Sequence, residues 1–476
     1  MRKSCILSLI FIILFQKIST QCYPDEANSQ LLCKNVHLAN VNSVMKKADI
    51  KTVVIYELNE TKLREEAFQF PNLETLKVSG ILEILISNCV SNLVQLKKLD
   101  FSYNKISHIP NDLFSDLSQL KEFNISHDVL SNLTLDTFYK LTNVEILDLS
   151  YNHIVAIDLG VLDEARSVQK LLLHHNRLTA LQLGVFDELV NMILLDVSFN
   201  KIADIPLGLF DLPKSVSFLN LSHNNLIQLE LGIFDPLKNL SDLTVSHNKL
   251  KTVPLGIFDT LTHLKIVSLS GNKLTNVPDG LFDESKKLKK IDLAQNRIQN
   301  LSGSLFESNE HLKHLNISYN LITDLDIKIF KQTSLISLDI SHNEFQTIKL
   351  ELLNLKSLQI INAQGNKINY LHPNTFAVEQ YISLKHIDFS QNRLVFIEDG
   401  FFDWVPNLKR FEISGNPWDC KCLEKVLKQL VARNITYNIE YYFDGRKPAC
   451  VVANLFDCVV VKNSSALYYK YYNKKN

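Results

Sequence analysis

Asparagine recurs every 24 residues in this chain, at Asn152, Asn176, Asn200, Asn224, Asn248, Asn272, Asn296 and Asn320. Asn104 begins the series, and Asp128 fills its one gap. Asn343, Asn366, Asn392 and Asn416 continue it at spacings of 23, 23, 26 and 24. Phenylalanine keeps the same beat at Phe114, Phe138, Phe186, Phe210, Phe234, Phe258, Phe282, Phe306 and Phe330, with Leu162 standing in once. Glycine does so at Gly160, Gly184, Gly208, Gly232, Gly256 and Gly280. Three residue types in phase over two hundred residues require a stack of near-identical units. The length of 476 residues would otherwise suggest about three domains, a count that a repeat array overrides.

Each ladder residue sits in the frame LxxLxLxxNxL, as in Leu264, Val267, Leu269, Asn272 and Leu274. Apolar frame positions 4 and 6 alternate with polar 3, 5 and 7, which is the period of a short strand. Strands of successive units then stack in parallel about 4.8 Å apart with their leucines inward. The ladder Asn turns into the bend that follows, where its amide can both donate to and accept from buried backbone groups. Asp128 is acceptor-only when ionised, so its unit is expected to be weaker. The Phe column fills the opposite wall, and the Gly column is expected to take a backbone shape that a Cβ would obstruct.

This frame and period resemble the leucine-rich repeat family over about residues 50–418. The resemblance implies an α/β solenoid, a horseshoe with one parallel strand per ~24-residue repeat and disulfide-capped ends. The stretch Asn416-Pro417-Trp418-Asp419-Cys420-Lys421-Cys422, with Cys450 and Cys458 later, looks like the cysteine-rich C-terminal cap of extracellular members. That resemblance implies the pairs Cys420–Cys450 and Cys422–Cys458. The rival reading, a four-thiolate zinc site, lacks the usual CxxC spacing. Cys22 and Cys33 would close an N-terminal cap, where the family often uses four cysteines. Cys89 is left over: it could bridge to another chain, or it could be a small buried hydrophobe. The second reading fits its register with Leu113, Val161, Val185, Leu209, Ile233 and Ile257.

Arg2 and Lys3 precede an apolar run from Cys5 to Phe15 and a polar stretch from Gln16 to Gln21, the pattern of a secretory signal peptide. Nine glycosylation sequons, at Asn59, Asn124, Asn132, Asn220, Asn239, Asn300, Asn316, Asn434 and Asn463, suit a secreted, extracellular glycoprotein. The expected organisation is a signal peptide (1–20), an N-terminal cap (21–50), about 15–16 leucine-rich repeats (51–415), a cysteine-rich C-terminal cap (416–460) and a flexible basic, Tyr-rich tail (461–476).

Composition narrows the function. The 50 Lys+Arg against 51 Asp+Glu argue against a nucleic-acid or anionic-membrane binder. Only 13 Gly, with no GxGxxG or GxxxxGK[ST], argue against nucleotide-binding folds. Ser126-His127-Asp128 and Ser246-His247-Asn248 mimic catalytic triads, but neighbouring strand residues point to opposite faces. His127, His175, His223, His247 and His342 share one frame position, with only His223 and His247 on consecutive repeats, so a metal-binding or pH-sensing His ladder is not expected. The Asp/Asn column, such as Asp148 and Asp196, reads as a solvated face. No enzyme and no cofactor is expected.

What remains is a surface. Frame positions 3, 5, 7 and 8 are expected to line the concave sheet, and on neighbouring repeats they gather Ile146, Tyr151, Leu172, Leu194, Phe199 and Phe218. Such a cluster suggests a protein contact, although a glycan on Asn220 would shade Phe218. The resemblance to Toll and Slit ectodomains and insect leucine-rich repeat immune proteins implies a secreted recognition protein. It would bind a protein ligand or a microbial surface, in innate immunity or extracellular signalling. The alternative is a structural matrix or adhesion protein, for which a homo-oligomer would be expected. Neither reading involves membrane insertion or nucleic acid.

Overall fold

In the computed structural model the leucines of the frame alternate inward from strands of only three residues. The structure describes residues 21–25, 27–44, 47–348, 355–369, 371, 383–438, 450–451 and 458. The expected signal peptide, Asn463 and the Tyr-rich tail lie outside the described residues. The chain forms two units, residues 1–225 and 226–476.

The first unit opens on a hairpin in which Gln21–Asp25 runs antiparallel to Gln30–Val36, and Cys22, opposite Cys33, is disulfide-bonded to it. Gln30–Val36 then pairs in parallel with Thr52–Leu58, and that strand with Thr75–Gly80. Lys98–Asp100, Glu122–Asn124, Ile146–Asp148, Lys170–Leu172, Leu194–Asp196 and Phe218–Asn220 follow, each hydrogen-bonded to the next. Leu171 stands beside Leu147 and Leu195, so the register between strands equals the sequence period. That identity puts like residues in rows along the sheet.

In the second unit the strands run from Asp242–Thr244 to Arg410–Glu412 in the same parallel order, and Thr436–Asn438 closes the sheet. The helix Cys420–Ala432 packs Cys422, Leu423, Val426 and Leu430 inward. Asp419 caps it, its Oδ1 accepting from the N–H groups of Lys421 and Cys422 at 2.9 and 3.1 Å. Disulfides join Cys420 to Cys450 and Cys422 to Cys458, and Trp418 is buried with its Nε1 donating to the Ile413 carbonyl at 3.1 Å.

The core is built from columns. Frame positions 1, 4, 6 and 11 (Val144, Leu147, Leu149 and Ile154 in one repeat) are fully buried. On the wall away from the strands the Phe rings follow one another, tilted by 34° with centroids 6.4 Å apart for Phe114–Phe138 and stacked at 5.9 Å for Phe282–Phe306. Gly184 has φ +88°, a conformation that side chains rarely adopt, while a Cβ there would meet only ordinary contacts at 3.4 Å. At Gly184 backbone shape, and not lack of room, selects glycine. Cys89 is fully buried, and burial pushes its thiol up to about 12, so it packs as a small apolar residue.

The ladder asparagines hold the turns. Asn200 Nδ2 donates to the carbonyls of Leu173, Val197 and Ser198 at 3.0, 3.0 and 3.1 Å, and its Oδ1 accepts from the Leu178 N–H at 2.9 Å. Asp128 keeps only the acceptor half: its Oδ1 takes the Ile106 N–H at 2.7 Å, and its Oδ2 is buried without a hydrogen-bond partner. Burial pushes this carboxyl up to about 8, which favours its protonated form at neutral pH.

Two sequence expectations about the strand face also need correction. Position 7 is not exposed: Ser102, Ser126, Ser150, Ser198 and Ser222 are buried. The Asp/Asn column is more than a solvated face. Asp148 Oδ1 accepts from the Ser150 N–H at 3.0 Å, and Asp196 does the same for Ser198 at 2.9 Å. These local turns satisfy a backbone donor just as the strand ends.

Candidate recognition face

The strand end determines where side chains are shown. To aim the ladder residue at position 9 inward, the residue before it takes a left-handed backbone: φ is +60° at Tyr103, +58° at His127, +52° at Tyr151, +55° at His175, +53° at Phe199 and +51° at His223. For residues with a Cβ this conformation costs about 1 kcal/mol each. It swings position 8 out to the edge of the sheet, where the residues meet across repeats.

In the first unit they meet as a continuous stack of six rings. Centroids are 4.1 Å apart for Tyr103–His127, 4.0 Å for His127–Tyr151, 4.1 Å for Tyr151–His175, 4.1 Å for His175–Phe199 and 4.0 Å for Phe199–His223. The rings are nearly parallel, with interplanar angles from 9° to 14°. Aromatic neighbours contribute about 0.5–1.5 kcal/mol per pair, which offsets the backbone cost. Burial in the stack, and for His175 the nearby His174, hold the imidazoles of His127 and His175 below their ordinary pKa, so both are neutral at pH 7. In the second unit Tyr319 stacks on His342 at 4.1 Å, and His247 lies over Gly271, where a Cβ would come within 2.4 Å of Nδ1.

The repeat in the middle of the six departs from the frame. Where its neighbours place Asp148 and Asp196 at position 5 and Ser150 and Ser198 at position 7, it has Leu172 and His174. Leu172 cannot accept a backbone N–H, so the local turn is given up. His174 instead packs edge-on against Tyr151 and His175, with its Nδ1 3.0 Å from Nδ1 of His175. This repeat thus departs from the frame at both positions where the rings gather.

The six sequence candidates fall into three rows. Tyr151 and Phe199, 39% and 42% exposed, are rungs of the stack. Ile146, Leu194 and Phe218 share the position-3 row, interrupted by Lys170. Leu172 lies in the position-5 row between Asp148 and Asp196. The apolar patch expected from sequence is therefore divided by an acidic row. The cause is the left-handed turn, which separates position 8 from positions 3 and 5.

Beyond the rings runs an open groove of about 790 Å³, floored by position 9 (Asp128, Asn152, Asn176, Asn200) and bordered by His153 and Arg177 at position 10. Sequence reasoning missed both the stack and this row. It followed histidine as one residue type, whereas the column is aromatic, with Tyr and Phe between the histidines. The three residues of the triad look-alike are placed apart: Ser126 is buried, His127 lies in the stack and Asp128 is in the floor.

The sequons divide by geometry. Asn132, Asn239, Asn300 and Asn434 are exposed. Asn124, Asn220 and Asn316 hold the turn at position 5, accepting from the N–H groups of Ser126, Ser222 and Ser318. Asn59 Nδ2 donates to Asn35 at 2.8 Å.

A family model for leucine rich repeats matches overlapping stretches from residue 85 to residue 368, more than half of the chain. Among solved structures, a leucine-rich repeat protein of Leptospira interrogans superposes with a TM-score of 0.73 at 24% identity, covering 83% of this chain and 96% of its own. Toll from Drosophila, in complex with Spatzle, gives 0.66 at 20% identity over 84% of this chain, which spans about half (51%) of that structure. An octameric complex of Latrophilin 3, Unc5D and the leucine-rich repeats of FLRT2 gives 0.52 at 24% identity, covering 64% of this chain and 94% of the other.

Proposed function

Because the chain belongs to the leucine-rich repeat family, we propose that it is a secreted, non-enzymatic recognition protein that binds another protein through the aromatic edge of residues 103–223, in extracellular signalling or innate immunity. The observation that carries this reading is the six-ring stack, whose outer rims are partly exposed. Interfaces draw their energy from clustered aromatic anchors of this kind. Three disulfides suit an oxidising compartment, and no helix among the described residues is long and apolar enough to cross a membrane. Toll and FLRT2 are themselves found in complexes with protein partners, which is consistent with the same use here.

A matrix or adhesion role is the second reading. It is favoured by a row of leucines, Leu135, Leu159, Leu183 and Leu207, that are 51–62% exposed. Tyr151→Asn with Phe199→Asn separates the two, since Asn tolerates the left-handed backbone and leaves the core untouched. Proteins retained from native fluid by the immobilised chain are expected to fall at least tenfold with this variant and to persist with Leu183→Gln. The same retained set from both variants, or self-association lost with Leu183→Gln alone, would count against the recognition reading.

A further inference from the structure

We propose that the groove beside the ring stack is a docking site for an extended acidic segment of the partner protein, a refinement that rests on the recognition reading above. Charge is the first argument. Arg177 borders the groove, and Lys105 and Lys201 hold the same frame position on nearby repeats. All three are exposed, and among the described residues none of them forms an ion pair. Across the stack, the row nearest the rings carries the carboxylates of Asp148 and Asp196, while Asp100 is ion-paired with Lys77 at 2.6 Å. An anionic segment is thus attracted on one side of the rings and repelled on the other.

The rings supply the second argument. With neighbours 4.0–4.1 Å away, their faces are covered, and the stack presents edges. An aromatic edge is the positive part of the ring quadrupole, so it favours carboxylate oxygens. A single-stranded nucleic acid would need free faces on which to stack its bases, and a cationic segment would need them for cation–π contacts. Tyr103, Tyr151 and the imidazoles add polar hydrogens that can donate to an anion.

The floor gives the third. Asp128 is the one carboxyl among the groove-lining residues, and it is buried with its protonated form favoured at neutral pH, so it does not oppose an anion. Six rungs at these spacings span about 20 Å, the reach of about six residues of extended chain.

The test uses the full-length secreted protein and a fluorescein-labelled peptide of alternating glutamate and tyrosine, about ten residues long. The comparison ligands are its lysine–tyrosine counterpart and a heparin oligosaccharide of similar length. Anisotropy is expected to show binding of the acidic peptide that weakens with salt, with the other two weaker. Arg177→Glu with Lys201→Glu, which leaves the core untouched, is expected to reduce acidic-peptide binding at least tenfold, and Leu183→Gln to leave it unchanged. No binding of the acidic peptide, equal binding by the double variant, or tighter binding of heparin would overturn the proposal. If the acidic peptide fails while native proteins are still lost with Tyr151→Asn and Phe199→Asn, recognition by the stack stands and the groove assignment falls.

Discussion

An Asp128→Asn variant is expected to slow hydrogen exchange in the turns around residues 101–152 by two or more orders of magnitude at pH 8, and to change it little at pH 4. The sign follows from proton linkage. In the unfolded chain the carboxyl titrates near its ordinary 3.8, whereas in the fold burial raises it to about 8. The folded form therefore binds the proton more tightly. Its stability is full below about pH 4, declines as pH rises through the window, and is flat again above about 8. A tenfold difference in proton affinity is worth about 1.4 kcal/mol, so the loss across the window is on the order of 5 kcal/mol. Asparagine cannot ionise, and its Nδ2 would restore the donor that every neighbouring ladder residue has. Because a solenoid repeat contacts chiefly its neighbours, the effect should appear in this turn and those flanking it. An exchange profile with the same pH dependence in both proteins would show that Asp128 is not protonated in the fold.

The second large effect is expected at Asn200. Its replacement by alanine leaves the Leu178 N–H buried without its acceptor, while the carbonyls of Leu173, Val197 and Ser198 each lose one of two donors and keep Asn176 Nδ2, Asn224 Nδ2 and the His175 N–H. One unsatisfied buried N–H costs about 1–3 kcal/mol and the weakened carbonyl bonds add to it, while a water entering the space would recover part, so a loss on the order of 3 kcal/mol is expected. Exchange protection should fall between residues 173 and 202, and the rungs His175 and Phe199 should loosen with it. Unchanged protection there would mean that the strand leucines alone hold the turn.

Most of the fold was legible because the repeat writes each contact many times. The Asn, Phe and Leu columns state the stack, and the register between strands reproduces the 24-residue spacing, as between Leu147 and Leu171. The site was less legible for a physical reason. Position 8 looks like one more exposed residue after the strand, and only the left-handed turn shows that it leaves the sheet plane. Tyr151 and Phe199 were thus read as sharing a patch with Phe218, and the histidines between them as isolated. The burial of Ser150 and the turn made by Asp148 were hidden in the same way, since both depend on where the strand stops. The change from Asp and Ser to Leu172 and His174 was visible in the sequence, and reading the frame for departures from its consensus would have found the centre of the stack.

The most direct measurement of the central claim is photocrosslinking in native fluid from a benzoylphenylalanine placed at position 199, with the same probe at position 183 on the exposed leucine row as comparison. A partner crosslinked from position 199 and not from 183, competed by the acidic peptide, is the predicted result. Crosslinks that concentrate at position 183, or a position-199 product made only of this chain, would contradict recognition through the aromatic edge.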